Sequence, residues 1–210
     1  MNRVCLSLIV LGLFSLPGLD AFASSSVQFP VGPAAWTINV TPSTTVANPP
    51  PLAGVEVVKV EVVQGDRFTS HLVSYFNGAS RISYTIAGTS LLLTEDPKGT
   101  VFLTPSSKRF NVPFLPAMFD WITPSTLKEK DPITYGQKLC YHYKGPAGEA
   151  WIDSKTLFPV ALDNGYRTAT FTFLPPPETQ LALPPKYEQV LDNYAAFMGL
   201  PVSKQGSGTN

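Results

Sequence analysis

From Val55 to Leu103 the chain repeats one pattern: a short run of alternating apolar and polar residues, then a tight turn. Alternation of period two predicts strands with one face buried and one wet. Val58, Val60 and Val62 oppose Lys59 and Glu61. Phe68, Leu72 and Phe76 share a face of the next run, Phe68 to Phe76. Ile82, Tyr84 and Ile86 then alternate with Arg81, Ser83 and Thr85, and Leu91–Leu93 and Val101–Leu103 follow. The punctuation is turn chemistry: Gln64-Gly65-Asp66, Asn77-Gly78, Gly88-Thr89 and Asp96–Gly99. Asn-Gly is the strongest short hairpin signal and predicts a two-residue turn with positive φ at both positions.

The pattern resumes at Lys138–Tyr143, Glu149–Asp153, Phe158–Leu162 and Arg167–Leu174, with a second Asn-Gly turn at Asn164-Gly165. Pro159 marks an edge strand or a bulge, because proline cannot donate to a ladder. One further strand, Trp36–Val40, is predicted inside a stretch rich in Pro, Ser and Thr. The connections are too short for helical crossovers, which rules out a doubly wound parallel sheet. Two helical pieces complete the reading. A short helix over Phe114–Ile122 begins near Pro116, and a C-terminal helix opens at Pro185. The latter places Tyr187, Val190, Leu191, Tyr194, Phe197 and Met198 on one stripe, with Gly199 just past its end. Thr126–Gln137 is charged and reads as a loop. The fold class predicted is mainly β, a β-rich α+β chain: an antiparallel, unclosed barrel or half-barrel with a short internal helix and a C-terminal helix.

The chain opens differently. Asn2-Arg3 supplies a basic start, Val4–Leu16 is apolar, Pro17-Gly18 breaks the run, and Ala21-Phe22-Ala23 fits the small-x-small cleavage rule. This is the layout of a secretory signal peptide, and the run is too short to span a bilayer. No other run reaches spanning length, so no transmembrane span is expected after cleavage. The expected organisation is a signal peptide over 1–23, a Pro-rich segment with one strand over 24–54, one β domain over 55–200 and a flexible tail over 201–210.

Composition narrows the function classes. Lys+Arg and Asp+Glu are equal at 15 each, so no basic stripe exists for nucleic acid. The chain has two Cys, and Cys5 leaves with the signal, so Cys140 has no intrachain partner. With only His71 and His142 available, a hydrolytic site would have to pair one of them with a nucleophile. Cys140 and His142 are two apart and share a strand face, which is the single arrangement of that kind; its bland alternative is a buried thiol beside an unrelated histidine. Asp120, Asp131, Asp153 and Asp163 lie in or beside turns and read as turn caps. No Walker loop, dinucleotide fingerprint or nucleophile elbow occurs, and no cofactor, metal or catalytic residue is expected.

What remains is a large apolar supply, with 13 Phe, 8 Tyr and 3 Trp against 14% charged residues. A curved sheet can fill its apolar face with its own side chains, or leave it as a groove lidded by Phe114–Ile122 or Tyr187–Met198. The sequence leaves both open. A groove would shelter an acyl chain, each buried methylene contributing roughly 0.8 kcal/mol.

The stretch Tyr141–Phe173 resembles the periplasmic lipoprotein-carrier family (LolA/LolB-like, the outer-membrane lipoprotein-sorting proteins). The resemblance is carried by Ala150-Trp151-Ile152-Asp153, Lys155-Thr156, Phe158-Pro159-Val160 and the Thr-Phe-Thr-Phe of 170–173, and it extends over residues 82–184, where Leu91–Leu103 is similar to the middle hairpin of that fold. It implies an unclosed antiparallel barrel whose helices plug an apolar cavity holding lipoprotein acyl chains. The expected protein is then exported, soluble, periplasmic and non-enzymatic, with an acylated lipoprotein or lipid as its partner. The ligand-groove candidates are Leu92, Phe102, Phe114, Met118, Trp121, Trp151, Phe171 and Phe173. The alternative expectation is an envelope protein–protein interaction module of the same fold, with a filled core, no lipid cargo and a transient protein partner.

Overall fold

The computed structural model describes residues 27–105, 116–123, 131–145 and 147–199. Eleven strands make one sheet: β1 (Ala34–Pro42), β2 (Val57–Gln64), β3 (Phe68–Tyr75), β4 (Ser80–Ile86), β5 (Leu91–Glu95), β6 (Val101–Pro105), β7 (Ile133–Tyr135), β8 (Lys138–Gly145), β9 (Gly148–Asp153), β10 (Pro159–Asp163) and β11 (Arg167–Leu174). Their spatial order is β6-β5-β4-β3-β2-β1-β11-β10-β9-β8-β7. Two meanders, β1–β6 and β7–β11, are joined by antiparallel pairing of β1 with β11, from Ala35 opposite Leu174 to Pro42 opposite Arg167. The two edge strands do not pair with each other, so the sheet is unclosed. The helix α1 (Pro185–Phe197) follows it, and Pro116–Phe119 forms a 3-10 turn. The architecture is therefore mainly β and antiparallel, as the alternation predicts.

The strand of the Pro-rich segment is the middle strand of the sheet, flanked by β2 and β11. At the edges, β6 has 5 residues and β7 only 3. Short edges give other chains little backbone to pair with. β7 corrects the loop expected over Thr126–Gln137: Ile133-Thr134-Tyr135 is too short to show a period, but its β-branched and aromatic residues suit a strand. Pro159 sits at a bulge in an interior strand, where the register to β9 shifts between Pro159 and Ala161. The Asn-Gly turns also differ from expectation. Gly78 and Gly165 take φ of 84° and 85°, but neither Asn77 nor Asn164 has positive φ. The asparagines act through their side chains instead: Asn164 Oδ1 accepts the N–H of Tyr166 (2.9 Å) and Arg167 (2.8 Å).

The largest departure concerns the faces. One face was expected to be buried, yet both are, over different parts of the sheet. The first face carries the main core, with Trp36, Ile38, Val60, Val62, Val73, Ala150, Ile152, Leu162 and Phe171 under Val27, Phe119 and Ile122. The second face is covered beside β3–β6, where Phe68, Tyr84 and Leu93 pack with Leu183 and Tyr187, and again beside β8–β10, around Cys140, Trp151 and Ala161. β3 shows the consequence. The shared face predicted for Phe68, Leu72 and Phe76 does not hold: Phe76 is exposed and Leu72 half-buried, while His71 and Val73 on the other face are buried.

α1 is anchored by its first turn. Tyr187 Oη and Lys186 Nζ both donate to Glu95 Oε2, at 2.7 and 2.6 Å, and the Tyr187 ring meets Tyr84 edge-on at 4.9 Å. The apolar stripe predicted along the helix outruns its cover, leaving Phe197 and Met198 exposed. The signal segment, Phe114 and the tail 201–210 lie outside the described residues.

Candidate functional site

Reading across the sheet, strand by strand, the first face changes chemistry at β3. One row of paired residues runs Phe173, Trp36, Val62, His71, Ser83, Thr94, Phe102. The next runs Phe171, Ile38, Val60, Val73, Arg81. The half built from β1, β2 and β8–β11 is thus oily, and the half built from β3–β5 is lined with polar groups.

The oily half is packed. Phe119 and Ile122, on and just after the 3-10 turn, are fully buried against it. Phe119 meets Phe171 edge-on at 5.7 Å, and Phe29 lies 6.0 Å from Phe119 and 6.4 Å from both Phe171 and Phe173. Trp121 closes the end of this cover. Its ring lies on Gly145, where a Cβ would come within 2.5 Å, so only glycine fits beneath it. Its Nε1 donates to Met118 O at 2.9 Å.

The polar half holds two buried residues and two unsatisfied nitrogen atoms. His71 and Ser83 are 4% and 2% exposed. The Nδ1 of His71 and the Nε of Arg81 meet no hydrogen-bond partner among the described residues. Burial lowers the His71 pKa to about 4, because the charged ring loses its hydration, so the ring is neutral at physiological pH.

The groove candidates do not form one groove. Phe171 and Phe173 lie together on the first face with Phe119 and the half-buried Trp121. Leu92 is buried on the same face but three strands beyond β2, opposite Thr85 and Thr104. Phe102, on the edge strand β6, and Met118, on the turn, are exposed. Trp151 lies on the second face, its ring stacked with those of Tyr135 (4.5 Å) and His142 (4.8 Å). Its neighbours Ala150 and Ile152 occupy the first face. Sequence reasoning missed Arg81 and Ser83, which it assigned to alternating polar positions, and weighed His71 only as a histidine a hydrolytic site could use. The one available signal was a lone arginine in an otherwise uncharged strand.

Cys140 and His142 do share the second face, but the thiol is fully buried among Trp151, Val160 and Ala161. Burial pushes its pKa up, away from the thiolate a nucleophile needs. His142 Nε2 lies 2.7 Å from Glu149 Oε2. In folded protein at neutral pH, Cys140 is expected to resist a thiol reagent and to react once urea unfolds the chain, as read by peptide mass. Native labelling at the rate of a free thiol would contradict this. Of the turn carboxylates, Asp153 Oδ1 caps the N–H of Lys155 and Thr156 (2.9 and 3.1 Å), and Asp163 does more than cap, as argued below. No group of three or more metal-ligating side chains occurs among the described residues.

No protein-family model, no curated protein and no solved structure matches this chain.

Proposed function

We propose that this is an exported, non-enzymatic protein that binds the acyl chains of a lipoprotein or lipid on the first face of its sheet, in the manner of an outer-membrane lipoprotein-sorting carrier. The observation that carries the reading is how lightly the oily half is covered. Six strands contribute apolar side chains to it, yet among the described residues the cover is drawn from Val27, Phe29, Trp121, Ile122 and a 3-10 turn of 4 residues bearing Phe119. A second sheet or a long helix would close such a face permanently. A short turn can be displaced by a guest that repays the lost contacts, and a chain of sixteen carbons offers roughly 0.8 kcal/mol per buried methylene. The apolar run Val4–Leu16 fits delivery to an envelope compartment, and among the described residues no helix is long and apolar enough to cross a membrane.

The test is thermal unfolding of delipidated protein with and without a lipid ligand. Binding to the native state at a hundredfold excess over Kd adds about 2.7 kcal/mol and raises Tm. An unchanged Tm across fatty acids, phospholipids and an acylated lipoprotein peptide would count against the reading.

The complete burial of Phe119 and Ile122 supports a second reading, an interaction module whose filled core leaves the surface to a protein partner. Native mass spectrometry of protein purified from its own envelope separates the two: bound lipid favours the first, a bound protein without lipid the second.

A further inference from the structure

Three features stand outside the packed core and its cover. Trp151 is already stacked with two of the protein's own rings, Tyr135 and His142. The Asp163 cluster is fully hydrogen-bonded within the chain. The polar flank of the first face is different, because one nitrogen each of His71 (Nδ1) and the half-buried Arg81 (Nε) is buried and unanswered among the described residues.

His71 and Arg81 occupy neighbouring strands. His71 pairs with Ser83, and Arg81 is two residues away along the same face of β4. Such diagonal neighbours sit about 7–8 Å apart at the backbone, within reach of a common small group for side chains as long as arginine. Arg81 joins no ion pair among the described residues, although the other arginine of the sheet, Arg167, is held by Glu56. Leaving a buried donor unpaired costs more than a hydrogen bond returns, so native structures supply a partner, from protein, solvent or ligand. A guanidinium with a buried Nε calls for an anionic oxygen. A neutral imidazole offers an N–H beside it, and the Ser83 hydroxyl lies next in the row.

We propose that Arg81, His71 and Ser83 bind an anionic oxygen group, carboxylate or phosphate, at the head of an amphiphile whose acyl chain lies on the neighbouring oily half. This rests on the acyl-chain reading above and adds the head-group class to it. The two halves then have one purpose: His71 lies beside Val62 on the same row, at the boundary where an apolar tail meets its charged head.

The test uses the purified, delipidated protein and three probes of equal chain length, kept below micelle-forming concentrations: palmitate, hexadecyl phosphate and hexadecanol. Palmitate or hexadecyl phosphate is expected to bind at least about tenfold more tightly than hexadecanol, the better of the two identifying a carboxylate or a phosphate source. Arg81→Gln is expected to abolish that preference, bringing palmitate and hexadecyl phosphate down to the affinity of hexadecanol for the same variant, and Arg81→Lys to restore part of it. The comparison of probes on the unaltered protein needs no variant, so a misfolded Arg81→Gln protein does not block the test. Equal affinity for all three probes would overturn the anionic site and leave the acyl reading standing. Absence of binding by any of them would overturn both.

Discussion

Gly148→Ala should lower the stability of this protein by about 3–5 kcal/mol, a large part of the 5–15 kcal/mol typical of a domain. Gly148 opens β9 with φ at 119°, in a region that residues with a side chain rarely enter. The backbone strain of forcing alanine there costs about 1–3 kcal/mol. The space is also taken. A Cβ at this position would lie 2.0 Å from the carbonyl oxygen of Asp163 and 2.8 Å from Cα of Asn164, both backbone atoms of the β10–β11 turn. Backbone cannot swing aside as a long side chain can, so an overpacking cost of similar size adds to the strain. Gly78→Ala separates the two terms. Gly78 has φ of 84° but nothing within 4 Å of its would-be Cβ, so it should show the backbone cost alone, about 1 kcal/mol. Urea midpoints of both variants are the measurement. A loss at Gly148 no larger than at Gly78 would contradict the clash.

The sheet was legible because alternation is a local property: where polar and apolar residues trade places at period two, a strand with two faces follows. What covers each face is not local. Ala150-Trp151-Ile152 is apolar at three successive positions and all three are buried, so no parity within β9 tells which residue faces the main core. The answer depends on the pairing of Leu162 with Ala150 and of Ala161 with Trp151, and through β11 on a strand that begins at Ala34. The same limit hid the polar flank. Arg81, Ser83 and Thr85 alternate with Ile82, Tyr84 and Ile86, and in isolation the first set reads as the wet one. The docking of α1 onto Tyr84 and Leu93 gives the apolar set its own cover, and Ser83 is nonetheless buried on the opposite side. Turn chemistry was legible in kind but not in detail. The glycines of both Asn-Gly pairs take positive φ, whereas the asparagines keep ordinary backbone and cap with their side chains.

Asp163 should prove the polar residue on which the fold depends most, and its removal should be read most clearly through pH. Its carboxylate is 1% exposed yet has no cationic partner among the described residues; it is held by neutral donors. Ser43 Oγ donates to both oxygens at 2.8 and 2.9 Å, Thr45 Oγ1 and the Gly165 N–H to Oδ1 at 3.0 and 2.8 Å, and the Thr44 N–H to Oδ2 at 2.9 Å, while Thr168 Oγ1 also donates to Oδ2. These bonds tie the segment that follows β1 to the turn between β10 and β11, some 120 residues later. Burial alone would raise the carboxyl pKa. The hydrogen bonds from Thr168, Gly165, Ser43 and Thr44 outweigh it and bring the pKa to about 2. A carboxyl depressed in the folded state stabilises above its unfolded pKa, near 3.9, and loses that contribution as pH falls through about 2. The linkage amounts to about 2 kcal/mol. Asp163→Ala leaves several buried donors without an acceptor and should cost about 3–5 kcal/mol at pH 7. Asp163→Asn, which keeps the shape but turns one acceptor into a donor, should recover only part of this. Urea midpoints at pH 7, 4 and 2.5 carry the decisive comparison. The unaltered protein should lose stability across the lower interval, and both variants should lose about 1.4 kcal/mol less there. Equal acid sensitivity in all three proteins would show that the carboxylate is not the group that titrates.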